Sequence, residues 1–145
     1  MSRPRILIAD DDPFIREALT LILRDEGYET QEASSGVETF DTLVLSPVPL
    51  LVLLDLVMPR MSGFEVLAQV ARSELLVTRH RYIVFSARPY VQAAQIGSHF
   101  TALLERLDIP FVAKPFDLDD LLRIVRTTYA HLLPAGQLLD GGQLA

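Results

Sequence analysis

The 145-residue sequence contains no cysteine. There is therefore no disulfide framework, no thiolate nucleophile and no cysteine-ligated zinc, a composition at home in a reducing compartment. Positive charge is also short. Lysine and arginine number 13 against 19 aspartates and glutamates, for a net charge of −6. That balance argues against a nucleic-acid partner, which needs a basic face, and against an anionic membrane surface. No apolar run approaches the roughly 18 residues of a membrane span. A strand begins by Arg5, which leaves no room for a secretory leader. A soluble, cytoplasmic protein is the expectation. Internal repeats, low-complexity segments and linkers are absent from the sequence. The length suits one domain and a real core without metal or disulfide staples.

What is present alternates between strand and helix. Arg5–Ala9 is an apolar strand, and Asp12-Pro13 opens a helix with an N-cap and a proline at its first position. Ile15, Ala18, Leu19 and Ile22 form that helix's inward stripe and Gly27 ends it. Tyr28–Glu32 alternates as an edge strand. Ser34 is read as the cap of a second helix carrying Val37, Phe40 and Val44, broken by Ser46-Pro47-Val48-Pro49. Leu50-Leu51-Val52-Leu53-Leu54 is a strand buried on both faces. Phe64, Leu67, Ala68 and Ala71 mark a third helix. Tyr82–Phe85 is a strand ending at Ser86. Ile96, Phe100, Leu103 and Leu107 mark a long fourth helix, with Gly97 as a possible kink. Pro110–Ala113 is the fifth strand. Asp117 caps the last helix, whose stripe is Leu118, Leu121, Leu122, Val125 and Tyr129, and Pro134 stops it. Gly136–Ala145 has no periodicity and is read as a loose tail. Five strands alternating with five helices imply a doubly wound α/β fold: a parallel sheet with right-handed crossovers and helices on both faces.

Asp55 directly follows the five aliphatic residues, and a carboxylate there is costly without a partner. It lies where open parallel sheets place ligand chemistry, beyond the carboxyl ends of the strands. Asp10-Asp11-Asp12 and Lys114-Pro115 follow two other strands. Taken singly, Asp12 is first of all a helix cap, Ser86 an ordinary strand-end hydroxyl and Lys114-Pro115 a turn. His80, His99 and His131 are read as surface residues, and Met58 and Met61 as loop packing. Jointly, the acids repel one another unless a hard cation joins them, and oxygen donors suit magnesium. Lys114 can pair with a carboxylate or a phosphoryl oxygen, Ser86 can donate to another, and an aspartate can itself be the nucleophile. Phosphoryl transfer needs mainly positioning and charge neutralisation, which this set supplies.

Asp10-Asp11, Asp55 within Leu54-Asp55-Leu56-Val57-Met58-Pro59-Arg60-Met61-Ser62-Gly63, Ser86-Ala87 and Lys114-Pro115-Phe116 together resemble the signature of response-regulator receiver domains. The resemblance covers residues 3–130 and leaves 131–145 as a C-terminal tail. It implies a flavodoxin-like sheet of order 2-1-3-4-5. It implies that Asp55 takes a phosphoryl group from a sensor histidine kinase or a histidine phosphotransfer protein. Asp11, Asp55 and the Val57 carbonyl would hold Mg²⁺ directly and Asp10 through water. Ser86 and Lys114 would hold phosphoryl oxygens, Phe111 would be the aromatic that moves with Ser86, and Lys114-Pro115 would be cis.

The chain departs from that pattern in three places. The span from Ser86 to Lys114 is longer than usual by roughly one to two helical turns. Leu104-Glu105-Arg106-Leu107-Asp108-Ile109-Pro110 replaces the usual small residues before the fifth strand, so Pro89–Asp108 is expected to be an outlier that carries output specificity or a homodimer contact. Val57 and Arg88 flank the site, where an aliphatic side chain and a cation would slow attack of water on an acyl phosphate. The sequence shows no output domain after residue 130, so a stand-alone receiver that docks to a downstream protein target is expected. Phe14, Ile15, Pro115 and Phe116 rim the pocket as candidate docking residues. An aspartate-nucleophile, Mg²⁺-dependent phosphatase and a phosphorylation-independent binding module are the alternative readings.

Overall fold

The computed structural model describes residues 3–87, 94–133, 138–140 and 143–144. The elements run β1 (Arg5–Ala9), α1 (Pro13–Asp25), β2 (Thr30–Ala33), α2 (Gly36–Leu45), β3 (Leu50–Leu54), α3 (Gly63–Ala71), α4 (Glu74–Arg79), β4 (Arg81–Ala87), α5 (Ala94–Leu107), β5 (Phe111–Lys114) and α6 (Leu118–Ala130). Two short strands, β6 (Leu138–Asp140) and β7 (Gln143–Leu144), pair antiparallel where the sequence suggests an unstructured tail.

The five-stranded sheet has the order β2-β1-β3-β4-β5, with every pair parallel. Strand alternation sorts the core into two layers. Leu7, Leu50, Val52, Leu54 and Val84 face one side, under Leu43 of α2, Val66, Leu67 and Val70 of α3, and Leu76 of α4. Ile6, Ile8, Leu51, Leu53, Ile83 and Phe85 face the other, under Leu19 and Leu23 of α1 and Leu121, Val125 and Tyr129 of α6. All five residues of β3 have no exposed surface. Its continuous aliphatic run reflects burial on both faces rather than alternation.

Local chemistry sets the helix ends. Asp12 Oδ1 accepts from the Phe14 N–H at 2.9 Å and Asp117 Oδ1 from the Asp120 N–H at 3.0 Å, both as anticipated. The second helix is capped one residue later than the sequence reading has it. Ser35 Oγ accepts from the Glu38 N–H, while Ser34 is held by the Glu38 carboxylate. Ser62 and Glu65 form a reciprocal capping box at the start of α3, which satisfies two otherwise orphaned donors. The short helix α4, capped by Ser73, has no counterpart in the sequence reading. Its six residues hold too little periodicity to register.

Helix α5 runs 14 residues and continues unbroken through Gly97. Residues 88–93, including Arg88 and the start of the expected outlier, lie outside those described. Phe100, Leu103, Leu104 and Leu107 pack against the first core layer, and Phe100 meets Phe64 edge to face at 4.7 Å. Phe100 and Leu104 are therefore partly buried residues that pack on the core.

His80 corrects a second expectation. It is a fully buried residue, not a surface one. Its Nδ1 accepts from the Leu50 N–H at 2.9 Å, and Nε2 lies 2.9 Å from the Leu43 carbonyl, to which it donates. The neutral ring thus ties the start of β3 to the last turn of α2. Burial holds its pKa below the usual 6.5, with Arg79 acting in the same direction against the pull of the Leu43 carbonyl. A protonated ring could no longer accept from Leu50. The stabilisation is present above the ordinary imidazole value and is lost as pH falls through the depressed one. His80→Ala is expected to destabilise by on the order of 2–4 kcal/mol at pH 8, because it orphans two buried backbone groups. Urea unfolding of both proteins across the pH range checks this, and the gap should narrow as pH falls. A gap that is constant with pH refutes the bond's role.

Candidate functional site

The site lies at the carboxyl ends of β1, β3, β4 and β5. Parallel register brings those ends level: Ala9 pairs with Leu54, and Ala87 with Lys114. Asp10 and Asp55 each emerge one residue past their strands, adjacent across the sheet. The Asp55 N–H donates to the Ala9 carbonyl at 2.9 Å, and the Asp10 N–H to the Ala33 carbonyl at 3.1 Å. The backbone ladder thus places both carboxylates before any side-chain contact forms.

Asp10, Asp11 and Asp55 offer oxygens that all lie within 4.8 Å of one another. Asp10 and Asp55 are buried and Asp11 is exposed, so the cluster opens to solvent on one side. Lys114 Nζ lies 2.7 Å from Asp10 Oδ2 and 3.6 Å from Asp55 Oδ2. It sits 4.6 Å from the centre of the Phe85 ring, within the range of a cation–π contact. One ammonium facing three carboxylates leaves negative charge unmatched. Burial first, and Asp10 next, push the Asp55 carboxyl up to about 6 despite the opposing pull of Lys114.

Of the residues expected at the site, the structure brings together Asp10, Asp11, Asp55 and Lys114, and Ser86 lies near the carboxyl end of β4. The Ser86 hydroxyl is buried and has no hydrogen-bond partner among the described residues, which is costly unless a ligand supplies one. Asp12 caps α1, while its own N–H donates to Asp10 Oδ1 at 2.8 Å and steers that carboxylate. Val57 is exposed, and its N–H lies 3.5 Å from Asp55 Oδ1. Phe111 is half-buried against the first core layer. The Lys114-Pro115 bond is cis. Phe14 is 83% exposed, and Ile15 and Phe116 are partly covered, so the rim offers apolar surface.

Two contributors are missing from the sequence reading. Arg16 Nη1 donates to the Asp10 carbonyl at 2.8 Å, and its Nε pairs with Glu32 at 3.1 Å. It braces the strand end, and its only sequence signal is a position one turn beyond the acids. Gly63 stands where a Cβ would overlap the Asp55 carbonyl, and its N–H donates to the Leu56 carbonyl at 2.9 Å. A glycine beside a helix cap reads as ordinary turn chemistry, which hides this close approach.

Three carboxylates at the mouth of a doubly wound sheet, with a lysine and an unpaired hydroxyl, make a phosphoryl-accepting site. The profile of the response regulator receiver domain family matches residues 6–126, and the chain belongs to that family. It is accordingly a phosphoacceptor module of two-component signalling. It is 33% identical over 126 residues to sporulation initiation phosphotransferase F of Bacillus subtilis, covering 87% of this chain and 94% of that protein. It is 36% identical over 124 residues to the DNA-binding response regulator MtrA of Mycolicibacterium smegmatis, covering 86% of this chain but 50% of that protein. The chain thus spans about half the length of regulators of the second kind. Among solved structures, a CheY-like receiver domain protein from Methanospirillum hungatei superposes with a TM-score of 0.69 at 28% identity over 90% of this chain and 95% of that one. The response regulator TrrA from Thermotoga maritima, in complex with Mg²⁺ and BeF, gives 0.66 at 29% identity over 88% and 99%. Receiver domains bind Mg²⁺ at an acidic cluster, and here that cluster is Asp10, Asp11 and Asp55. The donor set fits: oxygens only, close together, with excess negative charge and one solvent-facing side. Among the described residues no helix is long and apolar enough to cross a membrane.

Ionising Asp55 opposes folding. Its stabilising contribution is complete below the ordinary carboxylate value of 3.8 and is lost as pH rises through about 6. Asp55→Asn should therefore raise the melting temperature of the metal-free protein at pH 7. Screening on the open side limits this to on the order of 1–2 kcal/mol, about 3–6 °C for a domain of this size. The difference should vanish near pH 4, and millimolar Mg²⁺ should raise the melting temperature of the Asp55 protein more than that of the variant. Calorimetry across pH, with and without Mg²⁺, measures all three, and an Asp55→Asn protein less stable than its parent at pH 7 contradicts the electrostatic account.

Proposed function

We propose that Asp55 accepts the phosphoryl group of a phosphohistidine on a sensor histidine kinase or histidine phosphotransfer protein, and that the acyl phosphate switches a partner-binding face. The observation that carries the assignment is the placement of Lys114 Nζ, 2.7 Å from Asp10 and 3.6 Å from Asp55. A cation so placed can turn from Asp55 to an incoming phosphoryl oxygen without leaving Asp10. An Asp55 oxygen attacks phosphorus, the phosphorus–nitrogen bond breaks, and the imidazole leaves and takes up a proton. The Ser86 hydroxyl gains its missing partner by donating to a second phosphoryl oxygen, and Phe111 follows into the space that Ser86 vacates. Asp11, Asp55 and the Val57 carbonyl would hold Mg²⁺, and Asp10 would act on it through water. The ion would supply charge neutralisation for the phosphoryl oxygens. Water later hydrolyses the acyl phosphate, and Val57 beside the site slows its approach. Residues 3–130 form the receiver unit, with 131–145 appended. Phe14, with Ile15 and Phe116, forms the docking rim for the phosphodonor.

Incubation with acetyl phosphate and Mg²⁺, followed by intact-mass measurement, is expected to show one added phosphoryl group on the parent chain and none on Asp55→Asn. Labelling that persists in the variant overturns the assignment. Continuous phosphate release without a labelled species supports the phosphatase reading instead. Absence of both points to a binding module independent of phosphorylation.

A further inference from the structure

On the side of the molecule carrying α2, a groove of about 560 Å³ runs along that helix beside β2 and reaches the β3–α3 loop. Strand β2 is the outer strand of the sheet, so the groove follows a free edge. Its walls are Gln31 from β2, Val37, Glu38, Asp41 and Leu45 from α2, and Arg60 from the loop. The outward side of α2 is unusually apolar. Val37 is 45% exposed, Val44 55% and Leu45 78%. A surface helix ordinarily turns such residues inward, and here a further stripe already does so through Leu43 and Phe40. Of the acids between them, Glu38 accepts from Ser34, whereas Asp41 makes no ion pair among the described residues. Gln31 Oε1 is buried with no hydrogen-bond partner among those residues. A carboxylate without an ion pair, flanked in the groove wall by the exposed Val37 and Leu45, suits a ligand with positive charge and apolar surface.

We propose that this groove docks a basic, partly apolar segment of a partner protein. An arginine or lysine of that segment sits against Asp41, while its aliphatic side chains cover Val37 and Leu45. Charge selects this occupant over a second copy of the chain, whose net charge of −6 opposes self-association. Arg60 stands at the loop end of the groove with its guanidinium free of ion pairs among the described residues. It repels a cation at that end, so the basic anchor is confined to the α2 side.

The test uses the full chain, isotopically labelled and followed by amide NMR at saturating Mg²⁺, which occupies the other acidic cluster. The probe is a short peptide of alternating arginine and leucine. Its controls carry glutamate in place of arginine, or serine in place of leucine. The arginine–leucine peptide is expected to give saturable shifts centred on Gln31, Asp41 and Leu45, and the controls are not. Asp41→Lys and Leu45→Asn, both at exposed positions, should each weaken binding several-fold while signals outside α2 stay in place. Shifts centred on Asp10 and Asp11 or spread over the surface, equal binding of the serine control, or affinity unchanged in both variants overturn the proposal. Concentration-dependent shifts at the same residues without peptide also overturn it, in favour of a second copy on this face.

Discussion

The ion pair between Lys114 and Asp10, 2.7 Å across the top of the sheet, is the interaction on which the site depends. It joins residues 104 positions apart in sequence and forms only when β1 and β5 finish at the same height with β3 and β4 between them. Without that ammonium, two buried carboxylates would face each other in a poorly solvated pocket, and one would take up a proton. With it, Asp10 is held and Asp55 is left partly compensated. In the proposed phosphotransfer, that imbalance leaves the Asp55 carboxylate free to act as the nucleophile, which a fully paired carboxylate would do poorly. Arg16 and Asp12 fix the Asp10 backbone and side chain from the other side, so the pair is braced rather than merely close.

Much of this was legible in the residues. The aliphatic run before Asp55 could be read as a strand buried on both faces because no polar residue interrupts it. The acids and the lysine at the ends of separate strands indicated which charged residues would meet. Caps at Asp12 and Asp117 were readable because their partner lies within three residues. What escaped depends on distance. His80 looks like an ordinary polar residue between two arginines. Its burial arises only because the Leu50 N–H and the Leu43 carbonyl, 30 and 37 positions away, converge on its ring. The capping residue of α2 was misplaced by one because Ser34 and Ser35 are both competent, and Glu38 decides between them by capturing Ser34. Helix α4 was missed for its shortness.

Phosphoryl chemistry and structural support occupy opposite ends of the sheet. Asp55 stands past one end of β3, and the His80 clamp grips the other at Leu50. Between them run five residues with no exposed surface. A change of charge at the top therefore meets a packed aliphatic column rather than a chain of titratable groups, and the foot of the domain keeps its own, separate response to protons.

The loop after Asp55 is gripped on both flanks by backbone. Gly63 lies against the Asp55 carbonyl and Gly36 against the Met61 carbonyl, and at neither place is there room for a side chain. Arg60 and Met61 adopt positive φ angles of 55° and 119° within that grip. The loop's course is thus determined by main-chain contacts, while Val57, Pro59 and Arg60 point their side chains to solvent. Side chains at Val57 and Pro59 can change without bending the loop, whereas the positive φ at Arg60 restricts that position to residues that tolerate it. The lifetime of the signal and the identity of its recipients can then diverge between descendants of this chain while the catalytic geometry stays constant.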